Sequence, residues 1–137
     1  MQISLMVAVP SAAAAAEWYR SALGATVLWD LGSVLGLSVQ GAPFFLAEPE
    51  GNGWATPREA GTTTVRIEVF TEDPDGFWKR AVAAGADGHD PVRNHEVPWG
   101  THRQGGFVDP YGHRWLVGDH SPLSPTDQAG APPPAGG

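Results

Sequence analysis

The sequence repeats one pattern twice, and this repeat limits the fold more than any other feature of the chain. In each copy, an alternation of apolar and polar residues is followed by a helical pattern and then by shorter strand-like runs. The copies are offset by about sixty residues. The matching pairs are Val7 with Ile67, Val9 with Val69, Trp18 with Trp78, and Arg20 with Arg80.

Each copy predicts a βαβββ module, with the first spanning about residues 1–48 and the second about residues 62–120. The helix of one module covers only one face of its sheet, so a second module is needed to complete the structure. We therefore predict an α+β fold, in which the two modules form a curved, partly open, barrel-like sheet within one domain over residues 1–120.

Capping and turn residues mark the elements of the first module. Residues 3–9 alternate as a strand, and Ser11 is a suitable N-cap for a helix over residues 12–23. Gly24 lies where such a helix would end. The remaining predicted segments are strands over 25–31, 33–39 and 42–48, and a loop over 49–61.

The second module follows the same order. Residues 64–69 alternate as a strand, and Asp73 can cap a helix that has Pro74 at its first position and ends near Gly85. The predicted strands that follow cover 91–97, 101–108 and 113–118. The last two are joined by Asp-Pro-Tyr-Gly over 109–112, which has the composition of a tight turn.

Composition excludes several classes of function. The 137 residues carry a net charge of −7 with only eight Lys and Arg, which argues against a nucleic-acid partner. No apolar run is long enough to span a bilayer, and no secretion signal is visible. The absence of cysteine fits a cytoplasmic location without disulfides. Residues 121–137 are rich in Ser, Pro, Ala and Gly, so we predict a disordered tail there.

Three motifs point to a known family. They are the helix over 17–24 that reads Glu-Trp-Tyr-Arg-Ser-Ala-Leu-Gly, the helix end Ala-Ala-Gly-Ala over 83–86, and Phe-Val-Asp-Pro-Tyr-Gly over 107–112. Together they resemble the glyoxalase/bleomycin-resistance superfamily, also called vicinal oxygen chelate proteins, over residues 2 to about 120. The hairpin region is most similar to a non-chelating, drug-binding or PhnB-like branch. The resemblance implies a homodimer in which the modules are exchanged between subunits.

The resemblance also implies where a metal ion would be held. Enzymes of the superfamily use a side chain from the first strand of each module and a third from the last strand. On this chain those positions fall on Ser4, Thr64 and Leu116. A divalent metal needs imidazole and carboxylate ligands, so the positions are predicted to be vacant. We accordingly predict no metal, no cofactor and no catalytic residue.

Aromatic side chains and a few polar groups are predicted to bind a ligand instead. They are Trp29, Phe45, Trp54, Arg66, Glu68, Trp99 and His102. Trp18, Trp78 and Trp115 are assigned to the core, because they fall on helix stripes or on the helix-facing side of the last strand.

The predicted function is non-catalytic sequestration of a hydrophobic aromatic small molecule, such as an antibiotic, by a self-resistance protein. One alternative is a metal-dependent lyase or dioxygenase of the glyoxalase type, which would need metal ligands at positions other than Ser4, Thr64 and Leu116. The other is a protein that shares only the fold, with every tryptophan in its core.

Overall fold

The computed structural model describes residues 1–98 and 100–123, which form two four-stranded sheets and their helices. The helices are α1 (Ala12–Leu23), α2 (Pro57–Ala60) and α3 (Pro74–Ala83). The strands are β1 (Met6–Ala8), β2 (Thr26–Asp30), β3 (Val34–Val39), β4 (Ala42–Ala47), β5 (Arg66–Phe70), β6 (Asp87–Val97), β7 (Gly100–Val108) and β8 (Arg114–Gly118). Trp99 and residues 124–137, which include most of the predicted tail, lie outside the described residues.

Each module builds one sheet, and both sheets have the same topology. The strand order is β1-β4-β3-β2 in the first sheet and β5-β8-β7-β6 in the second. In both sheets the first strand of the module runs parallel to the last, and the other pairs are antiparallel. The sequence repeat is therefore a structural repeat, which confirms the predicted α+β fold of two βαβββ modules. The described strands do not close a barrel.

The ends of the long helices follow the predicted signals. The Ser11 hydroxyl accepts a hydrogen bond from the backbone of Ala14, and Gly24 ends α1 in the left-handed region with φ of 71°. Asp73 caps α3 in the same way, because its carboxylate accepts a hydrogen bond from the backbone N–H of Gly76. None of the helices in the described part of the chain is long and apolar enough to cross a membrane.

Several segments differ from the prediction. Strand β6 begins at Asp87, not residue 91, and β5 begins at Arg66, not residue 64. The first strand begins at Met6, not residue 3. To extend its pairing with β4 toward residue 3, the backbone nitrogen of Pro43 would have to donate a hydrogen bond, and it carries no hydrogen. The segment predicted as a loop over 49–61 contains α2, which begins with a capping box between Thr56 and Glu59.

Both long helices lie in one core that the two sheets share. The core joins Val9, Tyr19, Leu37 and Leu46 of the first module to Phe107 and Val117 of the second, and all six are completely buried. In addition, α1 packs against α3. Each sheet therefore turns one face toward the common core and the other face away from it.

We call the two outward faces the first open face and the second open face. Side chains alternate along a strand, so the neighbours of buried core residues point to the open side. The first open face carries Met6, Trp29, Gly36 and Phe45, and the second carries Arg66, Glu68 and Leu116.

A buried carboxylate connects the predicted β7–β8 hairpin to α1. Asp109 is 2% exposed, and its Oδ2 accepts hydrogen bonds from the Tyr19 hydroxyl and from the indole N–H of Trp115. Its Oδ1 accepts from the backbone N–H groups of Tyr111 and His113, at 2.9 and 3.0 Å. Burial and the neighbouring carboxylate hold the pKa of Tyr19 well above its usual value, so this phenol keeps the proton that it donates.

The three tryptophans assigned to the core pack as predicted. Trp115 is 2% exposed, and the partly buried Trp18 and Trp78 pack against the core cluster. Each of their indole N–H groups has a protein acceptor: Asp109 for Trp115, and a backbone carbonyl for the other two.

Candidate functional site

The predicted ligand-binding residues are distributed over three surfaces. Trp29 and Phe45 lie on the first open face, and Arg66, Glu68 and His102 line a cavity at the second. Trp54 lies in a groove beside β1 and β5. Trp99 lies outside the described residues.

A row of residues crosses all four strands of the first open face. Trp29 is opposite Gly36, Gly36 is opposite Phe45, and Phe45 is opposite Met6. The rings of Trp29 and Phe45 are 6.1 Å apart and tilted by 53°. Because Trp29 is 43% exposed and Met6 is 39% exposed, this aromatic row presents flat apolar surface to solvent.

The second open face carries charged side chains beside apolar ones. It borders a cavity of about 210 Å³ whose lining includes Arg66, Glu68, His102 and Leu116. Arg66 donates to Glu68 Oε2 from Nε at 2.8 Å, and the two side chains form a salt bridge. A charged pair at the edge of an apolar surface can orient carbonyl, hydroxyl or amine groups of a ligand.

Three histidines meet at one end of this cavity. His95 and His102 are directly opposite on β6 and β7, and the rings of His102 and His120 are 6.0 Å apart. Asp119 Oδ1 lies 3.7 Å from His102 Nδ1, and Asp119 Oδ2 lies 3.9 Å from His120 Nε2. We call His95, His102, Asp119 and His120 the histidine cluster.

From this cluster, the sequence analysis predicted only His102 as a ligand-binding residue. His95 lies as far before residue 98 as His102 lies after residue 99. This symmetry could have indicated that the two residues pair across a hairpin. His120 follows β8 and reaches the others only through the tertiary fold. Within the described ranges, no three His, Asp or Glu side chains are arranged to hold a metal ion.

The three predicted vacant positions do not share one surface. Leu116 lies in β8 on the second open face, and the residue opposite it is Glu68. Thr64 precedes β5 and lines the groove with Trp54, whereas Ser4 precedes β1 and is exposed. The register therefore puts Glu68, not Thr64, beside Leu116.

The groove that holds Trp54 is a separate cavity of about 250 Å³. Leu5, Ile67 and Thr64 contribute to its walls. At this groove, His113 Nε2 lies 2.6 Å from the carbonyl oxygen of Ala8 and connects the second module to the outer edge of β1.

Comparison with known families agrees with this geometry. A family model described as a glyoxalase-like domain matches residues 4–118. The chain belongs to this family. No curated protein matches the chain significantly.

Several solved structures are similar to this glyoxalase-like chain. TioX from Micromonospora sp. ML1 is 24% identical with a TM-score of 0.69, and the match covers 88% of this chain and 99% of that one. A bleomycin-binding protein complexed with bleomycin is 13% identical with a TM-score of 0.63, over 88% and 99%. The fosfomycin resistance protein FosX from Mesorhizobium loti is 12% identical with a TM-score of 0.59, over 88% and 92%. At these identities the likeness is one of fold.

Proposed function

We propose that this glyoxalase-like protein binds and sequesters a planar, hydrophobic aromatic small molecule, such as an antibiotic, and releases it chemically unchanged. The observation that supports this most directly is the aromatic row, in which the exposed Trp29 and Met6 flank the half-buried Phe45. A contiguous apolar patch exposed to water often marks a surface that a partner or ligand covers. A self-resistance role is consistent with a fold shared by the bleomycin-binding protein.

The second open face would supply the polar part of the binding site. Arg66, Glu68 and His102 offer both hydrogen-bond donors and acceptors around one small cavity. Ligand sites combine apolar walls with a few polar groups that orient the ligand. The first open face would contribute most of the flat apolar wall, and the second would contribute the charged and polar groups.

The two open faces need a second copy of the chain to enclose a ligand. Both faces point away from the shared core, so the aromatic row and the cavity at Glu68 do not face each other within one chain. The edge next to the aromatic row is also apolar, since Leu28 is 54% exposed and Leu31 is 76% exposed. A module-exchanged homodimer would place a first open face against a partner's second open face.

We expect light scattering at micromolar concentration to give about twice the single-chain mass of 14.4 kDa. Leu28→Arg should shift the protein toward monomer, because a charge on this apolar edge opposes its burial. Leu123→Arg is the matched control, since Leu123 is 89% exposed but lies beyond the last strand. A wild-type mass near 14.4 kDa would contradict the dimer.

Ligand binding is tested by titrating the protein with bleomycin and with planar aromatic antibiotics while tryptophan emission is recorded. At least one compound should quench the emission and be recovered with unchanged mass. Phe45→Ala should weaken its binding about three- to ten-fold through lost stacking. Ser38→Ala is the control, because Ser38 lies on the same strand face as Gly36 but is opposite Pro43, not Phe45.

The histidine cluster is the observation that favours the alternative, an enzyme of the glyoxalase type. A histidine beside a carboxylate can act as an acid or base, and His102 Nδ1 lies 3.7 Å from Asp119 Oδ1. A modified product that forms only with added divalent metal would replace sequestration with lyase or dioxygenase chemistry.

A further inference from the structure

A β-bulge determines which face of the first sheet Trp29 occupies. Along β2 and β3, Val27 is opposite Leu37 and Trp29 is opposite Gly36, so Leu28 is the extra residue. In a regular ladder, Leu28 would be opposite Gly36 and Trp29 would be opposite Leu35. Leu35 belongs to the buried core. The bulge therefore turns the indole of Trp29 from the core side to the first open face.

The glycine opposite Trp29 lets the indole lie directly on the sheet. A Cβ atom at Gly36 would lie 2.6 Å from both Cε2 and Nε1 of Trp29, which is closer than such atoms can approach. Gly36 does not have a positive φ, so its backbone does not require glycine. A glycine inside a strand is unfavourable and often marks a place where another group approaches closely. Here that group is the indole ring.

The indole N–H of Trp29 differs from those of the core tryptophans. Trp18, Trp78 and Trp115 each donate to a protein acceptor. Over residues 1–98 and 100–123, Trp29 has no such acceptor, and the residue is 43% exposed. A ligand with an acceptor atom at the edge of a flat ring could both stack on this indole and accept its N–H.

We infer that Gly36 and the bulge at Leu28 are positioning elements that lay Trp29 flat, as a platform for a planar ring with a hydrogen-bond acceptor at its edge. This inference rests on the proposed function and specifies the ligand's chemical class. Gly36 acts through Trp29 and does not touch the ligand itself. In this arrangement one face of the indole rests on the backbone of β3, and the other face receives the ligand.

The test uses 2-naphthamide as a flat probe with a carbonyl acceptor, and decahydro-2-naphthamide as its non-planar control. Binding is followed by the NMR signal of the Trp29 indole N–H, assigned by its loss in Trp29→Phe. In wild type the flat probe should shift this signal and bind at least about ten-fold more tightly than the saturated one. No binding of the flat probe to wild type would overturn the inference.

A double-substitution cycle separates positioning from general structural damage. Isothermal titration calorimetry measures the affinity for 2-naphthamide in every variant, because the Trp29 signal is lost when this residue is replaced. Trp29→Ala and Gly36→Ala should each weaken binding about three- to ten-fold. The double variant should bind no more weakly than Trp29→Ala, because the methyl group added at position 36 has space once the indole is gone. The inference would be overturned if the loss of affinity in the double variant equalled the product of the two single losses, or if Gly36→Ala bound as tightly as wild type.

The two proposals fail in different ways. If an antibiotic binds intact but the cycle shows independent losses, sequestration stands and the role of Gly36 is rejected. If no aromatic antibiotic binds, sequestration fails whatever the naphthamide result. Circular dichroism of all three variants checks that they remain folded.

Discussion

Replacing Asp109 with alanine is expected to lower the free energy of unfolding by about 3–5 kcal/mol. The substitution removes the acceptor of two side-chain and two backbone donors in a site that water does not reach. Each buried donor left without a partner is destabilising. Tyr19 and Trp115 would also lose the group that joins α1 to the β7–β8 hairpin.

Two variants show whether the effect comes from these hydrogen bonds. Asp109→Asn keeps the size of the side chain but turns an amide N–H₂ toward existing donors, so it should show a large part of the loss. Asp87→Ala is the control, because Asp87 is an exposed residue at the start of β6. Urea unfolding of all three measures the effect. A loss below about 1 kcal/mol for Asp109→Ala would contradict this account.

Replacing Gly105 with alanine is expected to destabilise the protein by about 1–3 kcal/mol and to disturb the β6–β7 hairpin. The added Cβ would lie 2.6 Å from the backbone nitrogen of Val92 and 2.7 Å from the carbonyl oxygen of Asp90. Both are main-chain atoms at an irregular part of β6, so they cannot rotate away as a side chain could. A shift of β6 would also displace His95 from His102.

The neighbouring glycine provides the comparison. At Gly106 a Cβ would meet its nearest atom, the carbonyl oxygen of Trp115, at 3.1 Å, so Gly106→Ala should be milder. Unfolding by urea measures stability, and NMR of the histidine side chains reports the arrangement of the cluster. Equal effects at the two positions would show that the irregularity of β6 does not crowd Gly105.

Much of the fold could be predicted because its signals are local. Ser11 and Gly24 bound α1 at the predicted residues, since caps act within one helical turn. The turn that begins at Asp109 was recognisable from composition alone, and its backbone hydrogen bond from Gly112 N–H to Asp109 O is present. The repeat predicted two modules because each must bury a similar helix stripe.

The candidate site was harder to predict, because it depends on register and on contacts between distant segments. Sequence alternation identified Trp29 and Phe45 as strand aromatics, but a bulge decides the face of Trp29, and a bulge has no reliable local signal. Glu68 was assigned as a ligand contact, yet only the pairing of β5 with β8 places it opposite Leu116.

By itself, the sequence determined the two modules, the long helices, the final hairpin and the family, because capping, turn chemistry and hydrophobic periodicity act over a few residues. Only the tertiary structure decided that both helices share one core and that both open faces point outward. It also decided that His95, His102 and His120 meet at one cavity. These features depend on how distant strands pack and pair, which no short stretch of sequence specifies.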